Sequence, residues 1–274
     1  MAKKKPRGHK TMASQADRYE LYLKSVQSPD NEVPFFDRAF KAAYGRPARV
    51  LREDFCGTAA VCAEWVASRR ERRALGVDID PEPLAWGRRH NLSKLSDEAR
   101  SRVTLLRANV LKARGEKADV VAAQNFSFFI FKNRLQLREY FRAARRNLRP
   151  QGILALDVMG GSEVIEEDRE ETRREKGFTY IWEQRRFDPI SHECEFFIHF
   201  KFRDGSAIRR AFRYDWRLWS IPEIRELLDE AGFKRSEVYW ENTDLETGEG
   251  NGVYRRCTAA PSEPAWVSYV VGVK

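Results

Sequence analysis

Acidic and small residues stand together in residues 50–59, which read Val-Leu-Arg-Glu-Asp-Phe-Cys-Gly-Thr-Ala. A short apolar segment leads to the acid Glu53, and Cys56, Gly57 and Thr58 then open into an apolar run with helical spacing. This order predicts a strand that turns sharply into a helix whose first backbone N–H groups point outward. Such a turn is typical of a nucleotide-binding pocket.

A second apolar segment, residues 74–80, contains two further acids, Asp78 and Asp80. It follows the first segment by about 25 residues, near the distance at which Rossmann-like units place a carboxylate on a ribose. Either acid alone is more often an ordinary loop residue. The two segments together favour a nucleotide-type site at the carboxyl ends of neighbouring strands.

The elements that position these residues alternate between strand and helix, which predicts a parallel sheet with right-handed crossovers. Two helices, residues 17–26 and 33–44, precede the first strand and are expected to lie over the binding edge. The predicted strands are residues 49–53, 74–78, 103–108, 118–123 and 153–158, and the predicted helices include one that begins at Thr58, residues 81–92 with Asp80 as cap, and residues 133–148.

The pattern changes after residue 160. A highly charged stretch, residues 162–176, is predicted to be helical, and alternating segments after it predict a small antiparallel sheet inserted into the parallel one. These segments are residues 178–183, 195–202 and 207–214; a helix over 221–231 follows, and strands over 233–240 and 265–273 flank a glycine-rich loop at 247–252.

We divide the chain accordingly into four parts. They are a basic disordered tail over residues 1–16, a core with N-terminal capping helices over 17–160, an inserted helix and antiparallel sheet that form a lid over 161–216, and the remainder of the core over 217–274.

Composition limits the classes of function. The chain of 274 residues has 42% hydrophobic residues and no apolar run near the roughly 18 residues that span a bilayer. The amino end lacks a secretory signal, so a cytoplasmic protein is expected.

The formal charge of +9 suggests a nucleic-acid partner. Five of those charges lie in the first ten residues, however, where a solvated tail is the more common explanation.

The four cysteines, Cys56, Cys62, Cys194 and Cys257, are widely spaced and show no Cys-x-x-Cys pair. This spacing argues against a zinc knuckle and against a disulfide framework.

From about residue 49 to the end, the order of these features resembles the class I S-adenosylmethionine-dependent methyltransferases. The resemblance implies a Rossmann-like sheet of seven mostly parallel strands with helices on both faces and an antiparallel last strand. It also implies S-adenosylmethionine as cofactor, S-adenosylhomocysteine as product, and no metal. Two glycines usual in the family's first loop are replaced by Phe55 and Ala59. Glycine there permits positive φ, and alanine costs little where the backbone is already helical.

The resemblance also implies roles for individual residues around the cofactor. It places Glu53, Cys56, Gly57 and Thr58 at the methionine portion, Asp78 with Ile79 at the ribose, Asn109 and Val110 at the adenine, and Asn125 and Ser127 opposite the sulfonium and the incoming nucleophile.

Candidate catalytic and acceptor-side groups are those that can reach the cofactor: Asn125, Tyr19 and Tyr22 from the leading helices, and Asp157 at the end of the fifth strand. His199 is a candidate base, although a lone histidine on a strand is more often structural. Tyr214, Trp216 and Arg217 form a substrate pocket or a cation–π cage, or else pack where the insertion rejoins the sheet, and Asn251 and Tyr254 close the pocket or belong to a surface loop.

Two classes of acceptor stay open. The roof expected over the cleft favours a small molecule, whereas an RNA-modifying enzyme or a nucleic-acid-binding protein is the alternative. The alternative rests on the basic tail and on a stripe of arginines at helical spacing, Arg134, Arg138, Arg142, Arg145 and Arg149. A cofactor-binding protein without activity is a third reading. The methylated atom, the use of a base and the oligomeric state are not specified by the sequence.

Overall fold

The computed structural model describes residues 10–243 and 250–274. Residues 1–9 and residues 244–249, which include the first half of the glycine-rich loop predicted at 247–252, lie outside the described residues. The strands are β1 (Val50–Asp54), β2 (Arg73–Asp78), β3 (Val103–Arg107), β4 (Ala118–Ala123), β5 (Leu148–Gly160), β6 (Arg169–Glu175), β7 (Phe178–Phe187), β8 (Glu193–Lys201), β9 (Ala207–Arg217), β10 (Arg235–Thr243), β11 (Gly250–Cys257) and β12 (Trp266–Val273).

The α-helices are α1 (Met12–Gln15), α2 (Arg18–Ser25), α3 (Pro29–Tyr44), α4 (Ala60–Ser68), α5 (Pro81–His90), α6 (Asp97–Ser101), α7 (Arg134–Asn147) and α8 (Ile221–Glu230). Short 3₁₀ helices follow α5 at Leu92–Lys94, β4 at Ser127–Ile130 and β5 at Ser162–Ile165. None of the helices in the described residues is both long enough and apolar enough to cross a bilayer.

The larger sheet confirms the predicted fold class. In the described part of the chain it has eight strands in the order β11-β10-β12-β5-β4-β1-β2-β3. Strands β1 to β5 pair in parallel, and β12 pairs antiparallel with both β5 and β10. The parallel register sets Glu53 beside Gly76 and Asp54 beside Val77, so β1 and β2 end at the same edge.

In the larger sheet, the sequence analysis did not predict β11, which pairs antiparallel with β10 at the edge. Two glycines at its start obscure the period-two pattern that marks a strand. Its Tyr254 packs against α3, with its ring centroid 5.7 Å from that of Phe35.

Helices cover both faces of the larger sheet. On one face, Leu137 and Phe141 of α7 and Leu227 of α8 join a buried apolar cluster. On the other face, Phe40 of α3 and Trp65 of α4 belong to a second buried cluster. Because both faces are covered, the central strands are buried along their length, which explains the apolar runs in the sequence.

The smaller sheet is antiparallel in the order β6-β7-β8-β9. The predicted helix over residues 162–176 was wrong: apart from the short 3₁₀ helix, this stretch forms the edge strand β6, which pairs with β7 from Arg169 to Glu175. Charged residues with good helix propensity form this strand because hydrogen bonds to β7 override local preference.

The amino-terminal end also differs from the prediction. The tail predicted over residues 1–16 includes the helix α1, whose Met12 N–H donates to the Asp204 carboxylate at 2.8 Å. This contact fastens the segment to the turn between β8 and β9. Helix α2 follows, and its Leu21 packs with Ile198 and Phe200 of the smaller sheet. Together α2 and the smaller sheet therefore form one packed unit over the carboxyl edge of the larger sheet.

Candidate active site

The loop from β1 to α4 is shaped by three alternating left-handed residues. Phe55, Gly57 and Ala59 have φ values of 59°, 49° and 56°. Left-handed backbone costs an L-residue about 1–2 kcal/mol, and of these three residues Gly57 alone avoids that cost. Alanine would cost little at a helical position, but Ala59 does not meet that condition, because it is the left-handed cap that precedes α4.

Phe55 makes contacts that a glycine could not make. Its ring centroid lies 5.5 Å from that of Tyr140 and 6.1 Å from that of Phe131. Aromatic pairs at such separations contribute about 0.5–1.5 kcal/mol beyond simple burial. This packing offsets the strain at Phe55 and fixes the shape of the loop.

Asp78, at the end of β2, ties this loop to the neighbouring strand. Its Oδ2 accepts a hydrogen bond of 2.7 Å from the backbone N–H of Gly57, and its Oδ1 accepts one of 2.9 Å from Asp80 N–H. Burial raises the pKa of the Asp78 carboxyl. Each carboxylate oxygen keeps a further acceptor site, so Asp78 can still bind a pair of donors.

A cavity of about 380 Å³, here called the glycine-loop cleft, opens beside these groups. Gly57 and Thr58 of the first loop line it together with Asp78. Helix α2, the segment after β4 and strand β9 contribute further lining residues, among them Tyr19, Tyr22, Asn125, Ser127, Phe212 and Tyr214.

The segment after β4 is held in place by Asp157 of β5. Asp157 Oδ2 accepts from Asn125 N–H at 2.6 Å, and Oδ1 accepts from Phe126 N–H at 3.0 Å. Asn125 and Phe126 are both left-handed, each with φ of 55°. Burial raises the pKa of Asp157 to about 7 even though these two N–H groups oppose the rise. The carboxyl group thus orders a strained turn at the edge of the sheet.

A second cavity of about 490 Å³, here called the Asp157 pocket, shares Asn125 with the glycine-loop cleft. Glu32 from α3 and Trp182 from β7 line it beside Asp157. Tyr254 and Tyr269 line it from β11 and β12. The pocket therefore lies between the larger sheet, the N-terminal helices and the smaller sheet.

Residues 54–156 match the protein family described as "Methyltransferase domain". This region runs from the last residue of β1 into β5 and carries the loop after β1, Asp78 and Asn125. Residues 54–156 form a class I S-adenosylmethionine-dependent methyltransferase domain. A relative named "Putative methyltransferase YqeM", from Bacillus subtilis, is 25% identical over 201 residues, which cover 70% of this methyltransferase and 76% of that protein.

Solved structures share the fold of this methyltransferase. A S-adenosylmethionine-dependent methyltransferase from Clostridium acetobutylicum has a TM-score of 0.66 at 15% identity, with 93% of this chain and 96% of that chain covered. The S-adenosylmethionine-bound amino pentose methyltransferase CalS10 from Micromonospora echinaspora has a TM-score of 0.65 at 17% identity, with 94% and 97% covered.

Three features of the glycine-loop cleft fit the cofactor of the methyltransferase. Thr58 Oγ1 is buried and has no hydrogen-bond partner among the described residues. A Cβ built on Gly57 would meet no atom within 4 Å, so the backbone there can approach a ligand closely. Ile79 follows Asp78 in the chain, outside the residues that line the cleft, and is 66% exposed, so it offers an apolar surface to a base.

Other predicted cofactor residues lie behind or beside the cleft. Glu53 is buried and accepts from Cys62 N–H at 3.0 Å, and burial raises the pKa of its carboxyl to about 7. Cys56 is buried beneath the loop, where its Sγ would lie 2.8 Å from a Cβ on Gly76. Glu53 and Cys56 thus support the loop from within.

Asn109 and Val110, which follow β3, do not line the cleft. Asn109 is exposed, and its Oδ1 accepts from Leu111 N–H at 2.9 Å. Val110 is buried, and its carbonyl accepts from the Arg52 guanidinium. Their contact with an adenine stays a prediction.

Tyr19 and Tyr22 are placed in the glycine-loop cleft as expected from the leading helices. Burial raises the pKa of both phenols. The two hydroxyl groups have different hydrogen-bond partners: Arg18 donates to the Tyr19 hydroxyl at 3.0 Å, whereas Tyr22 shares a hydrogen bond with Tyr214. Both phenols therefore stay protonated near neutral pH and can act as hydrogen-bond donors and acceptors.

His199 was predicted as a candidate base, and the structure corrects this. Its Nε2 lies 2.7 Å from Glu183 Oε2, and its Nδ1 accepts from Arg210 N–H at 3.1 Å. Both ring nitrogens are therefore engaged within the smaller sheet. His199 fastens β7, β8 and β9 together.

Trp216 and Arg217 are corrected in the same way. Trp216 is buried in the apolar cluster that includes Phe129. The Arg217 guanidinium stacks 3.8 Å from the Trp219 ring and donates to Glu223 and to the Lys132 carbonyl. These residues pack the junction of insertion and sheet.

Asn251 and Tyr254 both lie on the edge strand β11 but have different surroundings. Asn251 is exposed, and its Oδ1 accepts from Val253 N–H in a local turn, whereas Tyr254 lines the Asp157 pocket. Sequence reasoning missed Glu32 and Trp182, which line the same pocket from α3 and β7. An acid in the first turn of a helix looks like a helix-dipole partner, so no local signal marks Glu32.

Proposed function

We propose that this methyltransferase transfers the methyl group of S-adenosylmethionine to a small-molecule acceptor held in the Asp157 pocket. The observation that carries the proposal is the contact of two cavities at Asn125, one beside the cofactor loop and one beneath the smaller sheet. A volume of about 490 Å³ is typical of a small-molecule site.

The enclosure of the site supports a compact acceptor. Helix α2 and strand β9 lie over the glycine-loop cleft, and β7 lies over the Asp157 pocket. Methyl transfer is an in-line displacement that gains most from alignment and from exclusion of water. A polymer would have to displace this roof, whereas a small molecule fits beneath it.

We assign roles within this proposal as follows. Gly57, Thr58 and Asp78 bind the cofactor, and Asn125 with Ser127 stands between the two cavities. When bound, S-adenosylmethionine supplies a methyl group activated by the positive sulfur. Asp157 positions Asn125 through its backbone N–H, so this acid orients the point where cofactor and acceptor meet.

The arginine stripe on α7 gives little support to a nucleic-acid partner. Arg134 and Arg138 both pair with Glu230 on α8, and Arg142 pairs with Glu139. Paired guanidinium groups release fewer counterions on a phosphate backbone than unpaired ones would. Two of the five arginines thus join α7 to α8, a third pairs within α7, and Arg149 pairs with Glu116 and Asp119.

The proposal is tested by incubating the purified protein with methyl-labelled S-adenosylmethionine and a cell extract separated into small molecules, protein and RNA. We expect label in small molecules other than S-adenosylmethionine itself with wild type, and none in such molecules with Asp78→Ala. Label found mainly in RNA or protein would overturn the proposed acceptor class.

A further inference from the structure

The Asp157 pocket is strongly acidic. Among the lining residues that the structure describes, four carboxyl side chains, Glu32, Asp157, Glu171 and Glu241, stand against one guanidinium, Arg173. Arg173 lies in the pocket wall, where it donates to the Ser25 carbonyl and to the Glu175 carboxylate and stacks 5.1 Å from the centroid of the Tyr180 ring. Carboxyl side chains therefore outnumber the single guanidinium among these lining residues.

Glu32 is the member of this group that points to a ligand. Its side chain lies in the first turn of α3, and the residue is only 8% exposed. Its Oε2 is fully enclosed and accepts no hydrogen bond from any described residue. A buried acceptor without a partner is costly, so the pocket lacks a donor that a ligand can provide.

Burial raises the pKa of the Glu32 carboxyl well above its usual range, and the carboxylates of Asp157, Glu53 and Asp30 raise it further. A positive group between Glu32 and Asp157 would reverse this effect and favour both ionised forms. The carboxyl groups of the pocket therefore hold fewer protons when a cation is bound than when the pocket is empty.

Aromatic rings complete the pocket. Trp182 and Tyr180 line it from β7, and Tyr254 and Tyr269 line it from the opposite side with centroids 4.7 Å apart. Aromatic faces attract ammonium groups, and an organic cation needs such apolar walls as well as an anion. In residues 10–243 and 250–274, no three His, Cys, Asp or Glu side chains are grouped to hold a metal ion.

From this arrangement, and resting on the proposed function, we infer that the acceptor is a primary or secondary amine that enters the Asp157 pocket as its ammonium ion. Glu32 and Asp157 receive the N–H donors, and the aromatic rings enclose the carbon frame.

The chemistry of this step balances without a further reagent. The bound ammonium gives one proton to a pocket carboxylate, and the freed nitrogen lone pair forms the new N–CH₃ bond. The electron pair of the broken C–S bond stays on sulfur, so the donor leaves as the neutral thioether. The methylated nitrogen carries the positive charge, and the carboxyl proton passes to solvent when the product leaves.

The test compares three matched probes, benzylamine, benzyl alcohol and benzoate, by titration calorimetry on the full chain saturated with S-adenosylhomocysteine. We expect benzylamine to bind at least about tenfold more tightly than the other two, which is the effect of one charge-assisted hydrogen bond. Glu32→Gln should weaken benzylamine by about tenfold and leave the S-adenosylhomocysteine affinity unchanged. Glu170→Gln is the matched control, because it removes the same charge from an exposed position on β6 next to the lining residue Glu171.

A preference of the wild type for the alcohol or for benzoate, or no binding of benzylamine, would overturn the inference. The comparison of probes on the wild type does not depend on how well the variant folds. If Glu170→Gln weakens benzylamine as much as Glu32→Gln does, the loss comes from the net charge of the protein and not from the pocket. That result would also overturn the inference. If the wild type does not bind S-adenosylhomocysteine, the proposed function itself fails, which is a separate result.

Discussion

The carboxylate of Asp78 accepts a hydrogen bond of 2.7 Å from the backbone N–H of Gly57. This contact joins the ends of β1 and β2 and orients the loop that carries Thr58. The residue expected to bind the ribose therefore also holds the loop expected to bind the methionine portion. Cofactor binding and loop order should respond together to a change at Asp78.

The left-handed backbone at Ala59 leads to a prediction about stability. Ala59→Gly should stabilise the protein by up to about 1 kcal/mol, because glycine adopts positive φ without strain. Ala60→Gly, one residue later inside α4, should destabilise it by about 0.5–1 kcal/mol. Denaturant unfolding of both variants gives the comparison. Equal destabilisation by the two glycines would contradict the strain at Ala59.

Burial of Glu53 predicts a pH-dependent stability. The pKa of this carboxyl is raised from 4.5 to about 7, so its stabilising contribution is fully present below pH 4.5 and is lost as the pH rises through 7. Glu53→Gln can keep the hydrogen bond from Cys62 and removes the titration. As the pH rises from about 5 to about 8, the free energy of unfolding of the variant should increase by on the order of 2 kcal/mol relative to that of the wild type. Thermal unfolding at both pH values measures this, and a constant difference would refute it.

The hydrogen bonds of His199 predict a structural role. His199→Ala should lower the free energy of unfolding by about 1–3 kcal/mol, because it leaves Arg210 N–H and the Glu183 carboxylate without their partner. Methyl transfer to the small-molecule fraction, measured per folded molecule, should change by less than about twofold, well below the loss of a general base. A fall in transfer rate of two orders of magnitude with unchanged stability would restore His199 as the base.

Much of the fold was predictable because strong local patterns specify it. The central strands are apolar runs, as parallel strands buried on both faces must be, and β4 was predicted at its observed bounds. Strands β6 and β11 were not predicted, since edge strands that are charged or begin with glycine lack that pattern. Their positions depend on pairing with β7 and β10.

The site was predictable to a similar degree. Asp78 is the last residue of β2 and Asn125 lies two residues after β4, so the order of the chain brings them to one edge. The Asp157 pocket was predictable only in part: Asp157 and Tyr254 were named as acceptor-side residues, whereas Glu32 and Trp182 come from elements that meet the pocket only through tertiary packing. The left-handed conformations of Phe55 and Ala59 were likewise hidden, since neither residue type favours positive φ.

The central claim is that the glycine-loop cleft binds the cofactor through Asp78. The most direct measurement is the S-adenosylhomocysteine affinity of wild type, Asp78→Ala and Asp80→Ala by titration calorimetry. Asp80 is the comparison because it lines the same cleft, but its carboxylate is used to cap α5, where it accepts from Glu82 N–H at 2.9 Å. We expect Asp78→Ala to weaken binding by at least about 30-fold and Asp80→Ala by less than about threefold. Tight binding that survives Asp78→Ala would contradict the account.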